Sequence, residues 1–183
     1  MKKKFLLGTT AAVVLAAGTF GAVSANASSA PQAAPAAAVA KKADADGDKL
    51  RQDTHLTIAA ATKAAEATLK AAEKENQRVS VAVVDRNGNT LVTLRGDGAG
   101  PQSYESAVRK AFTAVSWNAP TSVLAGRLAQ APNLKDIPGT LFLAGGAPVT
   151  ANGAPIAGIG VAGAPSGDLD EKFAQAGVAS LND

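Results

Sequence analysis

The 183-residue chain has no cysteine, so disulfides, thiolate metal centres, cysteine nucleophiles and c-type haem attachment are all excluded. It has one histidine, one tyrosine, one tryptophan and one methionine. Any Ser-His-Asp site would have to use His55, at the border of a charged segment and the first expected helix. Aromatic residues make up only 4% of the chain, so the core must be built from Ala, Val, Leu and Ile. Small side chains bury little area each, which favours self-association as a further source of stability. A charge excess is also missing once the N-terminus is set aside. Lys2, Lys3 and Lys4 account for the net charge of +3, and no acid precedes residue 28. The balanced remainder offers no general attraction to nucleic acid or to anionic lipid.

Those three lysines open a secretion signal. A small and apolar run follows from Phe5 to Val23, and Ala25-Asn26-Ala27 has the pattern of a signal-peptidase site. The run approaches the length of a spanning helix, but its small residues and A-x-A exit point to cleavage and secretion, with no membrane insertion afterwards. Residues 28–53 read as an Ala/Pro-rich and then charged flexible spacer. Residues 54–183 read as one domain.

Within that domain, apolar residues recur at helical spacing over residues 56–76, with Thr57 as a cap. Two β-rich runs, 79–85 and 90–95, flank Asn87-Gly88, a hairpin signal. Residues 96–101 form a glycine-rich corner, after which Ser103 is expected to cap a long helix ending at Trp117. A third helix is expected from Pro120 to about residue 131, and a short strand over 140–143. Two more strands, 148–150 and 155–161, flank the hairpin signal Asn152-Gly153. Ser166 and Asp168 then open a helix to about Leu181. This order predicts an α+β domain, a mainly antiparallel sheet of about five strands flanked by helices.

Three motif-like strings are discounted. Gly158-x-Gly160-x-x-Gly163 leaves no room for the βαβ unit and acid that a dinucleotide site needs, so it reads as a tightly packed strand. Asp44-Ala-Asp46-Gly-Asp48 begins like an EF-hand loop, but Lys49 and His55 stand where glycine and glutamate are required. In Gly163-Ala-Pro-Ser166-Gly167 the serine is misplaced for a nucleophile elbow. Asp85, Asp97 and Glu105 are explained by turns and by the helix dipole. The long helix leaves two readings open. Arg109 and Lys110, flanked by Phe112 and Trp117, suit a flat, apolar, doubly anionic ligand; alternatively, the aromatics are core and the cations solvated.

From Leu56 onward the chain resembles the GlcG/HbpS family of small haem-binding proteins. The resemblance rests on Val84-Asp85-x-x-Gly88, Arg95-x-Asp97-Gly98-Ala99, Ser103, Lys110-Ala111-x-Thr113-Ala114 and Thr121-x-x-Leu124. It continues through Gly145-Gly146-x-Pro148, Gly158-x-Gly160-Val161-x-Gly163 and Ala176-Gly177. The signal and the Ala/Pro-rich spacer are similar to the HbpS branch from actinobacteria. The resemblance implies a homo-oligomer (an octamer in that branch), exchangeable b-type haem bound outside the cell, and iron binding. It also implies partnership with a membrane sensor histidine kinase of a two-component system answering haem and oxidative stress, with haem degradation as a rival activity; an oligomeric scaffold with incidental haem affinity is the second alternative.

Axial haem ligands are usually His, Cys, Met or Tyr. Without its signal the chain keeps only His55 and Tyr104 of these. The alternatives are an uncommon oxygen or nitrogen donor on the long helix, such as Thr113 or Lys110, or a site formed across a subunit contact. Thr113 is the favoured residue here, with Arg109 or Lys110 facing a propionate; a hydroxyl bonded back to the helix is the competing role for Thr113. For iron, Glu73 and Glu75, or Asp168, Asp170 and Glu171, are the carboxylates on offer.

Overall fold

In a computed structural model, residues 44–182 are described; the expected signal at 1–27 and the expected spacer up to residue 43 lie outside them. Helices α1 (Ile58–Lys74), α2 (Pro101–Trp117), α3 (Thr121–Gly126) and α4 (Gly167–Ala179) accompany strands β1 (Ser80–Asp85), β2 (Thr90–Arg95), β3 (Gly146–Ala151) and β4 (Ala154–Ala162). The sheet order is β2-β1-β4-β3, with every pairing antiparallel. The α+β class and the antiparallel sheet are as expected, with four strands in place of about five.

Strand β1 is central, and all six of its residues are buried because both sheet faces are covered. Val81 and Val83 face a core shared with Ala61, Ala64, Ala65, Ile159 and Phe173 of α1, β4 and α4. Ala82 and Val84 point the other way, to Ala107, Ala111 and Val115 of α2. The α2 side of the sheet is lined with small residues for a steric reason. A Cβ at Gly160 would overlap the Ala107 carbonyl oxygen, and one at Gly158 the Ala111 carbonyl oxygen. The Gly158-x-Gly160 string therefore lets a helix lie directly on a strand.

Two expected caps are present: Thr57 accepts from the Ala60 amide at 3.1 Å, and Ser166 from the Leu169 amide at 3.2 Å. Asn152 and Gly153 turn β3 into β4 with φ of 51° and 78°, as a two-residue hairpin loop requires. Three expectations need correction. Helix α2 starts at Pro101, whose missing N–H costs nothing in a first turn, with Gly100 as N-cap. Ser103 is instead buried in that turn, its hydroxyl 2.6 Å from the Gly100 carbonyl and 2.8 Å from the Ser80 hydroxyl. The third helix stops at Gly126 and continues as short 3-10 turns, Arg127–Ala129 and Pro132–Asp136. Residues 140–143 are not a strand: the Thr140 carbonyl and the Leu141 amide bond to α2 side chains instead of to a neighbouring strand.

Candidate functional site

Residues 109 and 110 are about 100° apart around a helix, and their environments differ completely. Lys110 points inward and is 4% exposed. Its Nζ donates to the Asp170 carboxylate at 2.9 Å and to the Val161 carbonyl at 3.0 Å. Asp170 also accepts from the Ala164 amide at 3.0 Å. Burial raises the Asp170 carboxyl above its ordinary range, against the opposing pull of the Lys110 ammonium and the Ala164 and Gly163 amides. The neighbouring Glu171 accepts from the Ser122 amide at 2.9 Å and from the Ser122 hydroxyl at 2.5 Å. The Gly145 amide reaches it at 3.3 Å. Since Pro120, the N-cap residue of α3, has no side chain able to cap, this carboxylate from α4 does so.

Lys110 is therefore a structural cation and cannot face a propionate. Asp170 and Glu171 are not surface iron ligands either, because their oxygens are committed inside the fold.

On its solvent side α2 carries Tyr104, Glu105, Val108, Arg109 and Phe112. Tyr104 is 49% exposed, and the other apolar members are half-buried. The Arg109 guanidinium donates to the Thr140 carbonyl at 2.7 Å and lies 3.9 Å from Glu105. Phe112 packs against Gly88 and Gly139, each with positive φ. Thr113 is fully buried. Its hydroxyl donates to the Arg109 carbonyl at 2.7 Å and accepts from the Leu141 amide at 2.8 Å. Trp117 meets Phe142 edge-on, with ring centres 5.2 Å apart. For Lys110 both earlier readings fail, since it is neither ligand-facing nor solvated but interior, as is Thr113, while Arg109 and Tyr104 are accessible.

His55 is on the segment preceding α1, its Nδ1 4.0 Å from the Asp85 carboxylate beside the β1–β2 turn. Asp85 is buried, which opposes its charge. Its bonds from the Asn89 side chain and from the Asn89 and Asn87 amides nevertheless hold its carboxyl below the ordinary range, with His55 adding to the effect. Glu73 lines a cleft of about 230 Å³ with Arg78 and Asp97, whereas Glu75 pairs with Lys172 at 2.5 Å. Among the described residues, no three His, Cys, Asp or Glu side chains converge as a metal site, and no helix is long and apolar enough to cross a membrane.

Sequence reasoning missed Thr140, Leu141 and Phe142 as partners of α2. The only available signal was the lone Thr-Leu-Phe run, which reads equally as a strand. It also missed the pairing of Lys110 with Asp170, since the two lie 60 positions apart.

A sequence profile of the family described as "Haem degrading protein HbpS-like" matches residues 56–179. The crystal structure of a double glutamate-to-aspartate mutant of HbpS from Streptomyces reticuli is 77% identical, covering 78% of this chain and 97% of that one, with a TM-score of 0.76. The crystal structure of a PduOC–heme complex is 26% identical over 70% of this chain and 96% of that one, with a TM-score of 0.65. An uncharacterised 15.0 kDa protein from the dhaT-dhaS intergenic region of Citrobacter freundii is 33% identical over 121 residues, 63% of this chain and 85% of its own.

Proposed function

Because this chain belongs to the HbpS-like family of haem-degrading proteins, we propose that it is a secreted haem- and iron-binding protein. In this reading it reports haem or redox stress to a membrane sensor histidine kinase. The observation that carries the haem assignment is the solvent side of α2. There an open phenol (Tyr104), apolar surface (Val108, Phe112) and one accessible guanidinium (Arg109) share a single ridge. These groups suit a flat apolar ligand with carboxylate arms: Phe112 and Val108 cover its face, and Arg109 pairs with a propionate. When bound, haem supplies a redox-active iron of the b type. Tyr104 is the oxygen donor that stands open, and Thr113 is the second donor on the same helix, covered in this conformation. Such donors bind haem loosely compared with paired histidines, consistent with an exchangeable cofactor.

The test is a haem titration of the signal-free chain, read at the Soret band, with Tyr104→Phe, Thr113→Val and Arg109→Gln alongside. A Soret band unmoved across the range sinks the reading. The family's description supports a second reading, haem breakdown. Anaerobic haem loading followed by peroxide separates the two: repeated turnover identifies an enzyme, and a single stoichiometric bleaching a binder or sensor.

Export is supported by Lys2–Lys4, the apolar run and the A-x-A exit. Self-association is supported by the exposed apolar side chains of Val123, Ile137 and Leu143, and the octamer rests on the family resemblance alone. A monomer in sedimentation at micromolar concentration would refute it. The kinase partnership rests on the family resemblance alone.

A further inference from the structure

Residues 139–143 lie across α2 as a strap, and we propose that this strap is a shutter over Thr113 that a carboxylate at Arg109 unfastens. The proposal rests on the haem reading above and deepens it by naming what controls access to the site. Two hydrogen bonds join the strap's backbone to α2. The Thr140 carbonyl accepts from Arg109 at 2.7 Å, and the Leu141 amide donates to the Thr113 hydroxyl at 2.8 Å. Its inward side chains are Thr140 and Phe142, both buried, the latter against Trp117. On its chain-N-terminal side, residues 125–139 contain no buried side chain. That exposed excursion holds the strap only at the Ile137 carbonyl, which accepts from the Thr140 hydroxyl at 2.8 Å and from the Thr140 amide at 3.3 Å. A cleft of about 480 Å³ lined by Pro132, Leu134 and Ile137 lies within the same excursion.

In the fastened state Thr113 is sealed, and its hydroxyl both donates and accepts. With that oxygen fully buried beneath the strap, a ligand can reach it only if the segment carrying the Leu141 amide moves away. Arg109 supplies the link to ligand binding because its bond to Thr140 is to a neutral carbonyl, and a carboxylate is the stronger partner for a guanidinium. Glu105 is the other charged group facing Arg109, 3.9 Å away and exposed, so it competes weakly. Drawing Arg109 toward a propionate removes one of the two fasteners. What then holds the strap to α2 is one neutral hydrogen bond, Leu141 to Thr113, with the packing of Phe142 on Trp117 and of Gly139 on Phe112. The release is a local opening that parts these contacts while the rest of the fold stays closed. The ligand class is therefore a flat molecule bearing at least one free carboxylate.

Hydrogen exchange of the peptide spanning the strap tests this on the signal-free chain. Without ligand, Thr113→Val and Arg109→Gln should each speed exchange at Leu141 about tenfold, the change expected from losing one hydrogen bond. Equal rates in wild type and both variants would overturn the fastening. Haem should speed strap exchange in wild type, and haem dimethyl ester, which lacks free carboxylates, should leave it unchanged. A Soret shift with no change, or slower exchange, at the strap would overturn the release step while sparing the haem reading. An unmoved Soret band would overturn that reading and the release step with it, while the ligand-free comparison still decides the fastening. Thermal melts of both variants confirm that exchange reports the strap and not global unfolding.

Discussion

Arg109 and Lys110 are adjacent in sequence and identical in charge, yet they belong to different parts of the molecule. Lys110 enters the junction of α2, α4 and β4, where its ammonium meets a buried carboxylate and a strand carbonyl. Arg109 stays at the rim, bonded to a strap and open on one side. A buried pair of charges ties elements together and is costly to break from one side. A half-exposed guanidinium contributes little to stability and remains free to exchange partners. Read as a basic pair they suggest one ligand site; in the fold only one of them can serve it.

The sharpest way to break this contrast is Lys110→Met. Leaving Asp170 buried without its cation should cost about 3–5 kcal/mol in urea unfolding, and adding Asp170→Leu should recover much of that loss. Should the fold persist, haem affinity in Lys110→Met should stay within about threefold, since Lys110 does not reach the ridge. A large, selective loss of haem binding would show that the two cations act together after all.

Next in size is Gly160→Ala. The added methyl collides with the Ala107 carbonyl, so α2 must lift from β4, at a cost of about 1–3 kcal/mol. A neutral result in chemical denaturation would mean the helix can slide, and Lys110 with it. Arg109→Gln should show the opposite profile. We expect haem affinity to fall about tenfold, roughly 1.4 kcal/mol, while unfolding free energy changes by less than about 1 kcal/mol. Equal losses in both would erase the distinction between rim and interior.

The smallest effect concerns pH. Asp85 is held below its ordinary carboxyl range, so its contribution is present above the unfolded value and is lost as pH falls through the folded one. Asp170 is raised by burial. Its contribution runs the other way, complete below the unfolded value and lost as pH rises through the folded one. Urea midpoints between pH 3 and 7 should fall toward acid, and Asp85→Asn should flatten that fall by about 1 kcal/mol or less. An unchanged slope in the variant would remove Asp85 as its source.

Much of the fold could be read from residues, because its signals are local. Alanine-rich periodicity marked α1, Asn152-Gly153 marked a two-residue turn, and Thr57 and Ser166 marked helix starts. The glycines at 158 and 160 were read as tight strand packing, which they are. Residues 140–143 misled because a short apolar run reads the same whether its hydrogen bonds go to a strand or to side chains. The start of α2 misled because serine and the Gly-Pro pair compete as caps, and proline at the first helical position won. For the candidate site, the sequence placed Arg109, Phe112 and Tyr104 together on one helix, and the structure puts them on its solvent side. The sorting of Lys110 and Thr113 into the interior was not.

The order of chain signals by itself determined an α+β unit with an antiparallel sheet, one long helix bearing the candidate ligand-facing groups, and no thiol chemistry at all. Only tertiary structure decided which cation is buried, that Glu171 caps a helix 50 residues away, and that a strap closes over Thr113. The physical reason is range. Propensities, caps and turns act over a few residues, whereas partners for buried charges and hydroxyls come from wherever packing against a glycine-floored sheet brings other elements close.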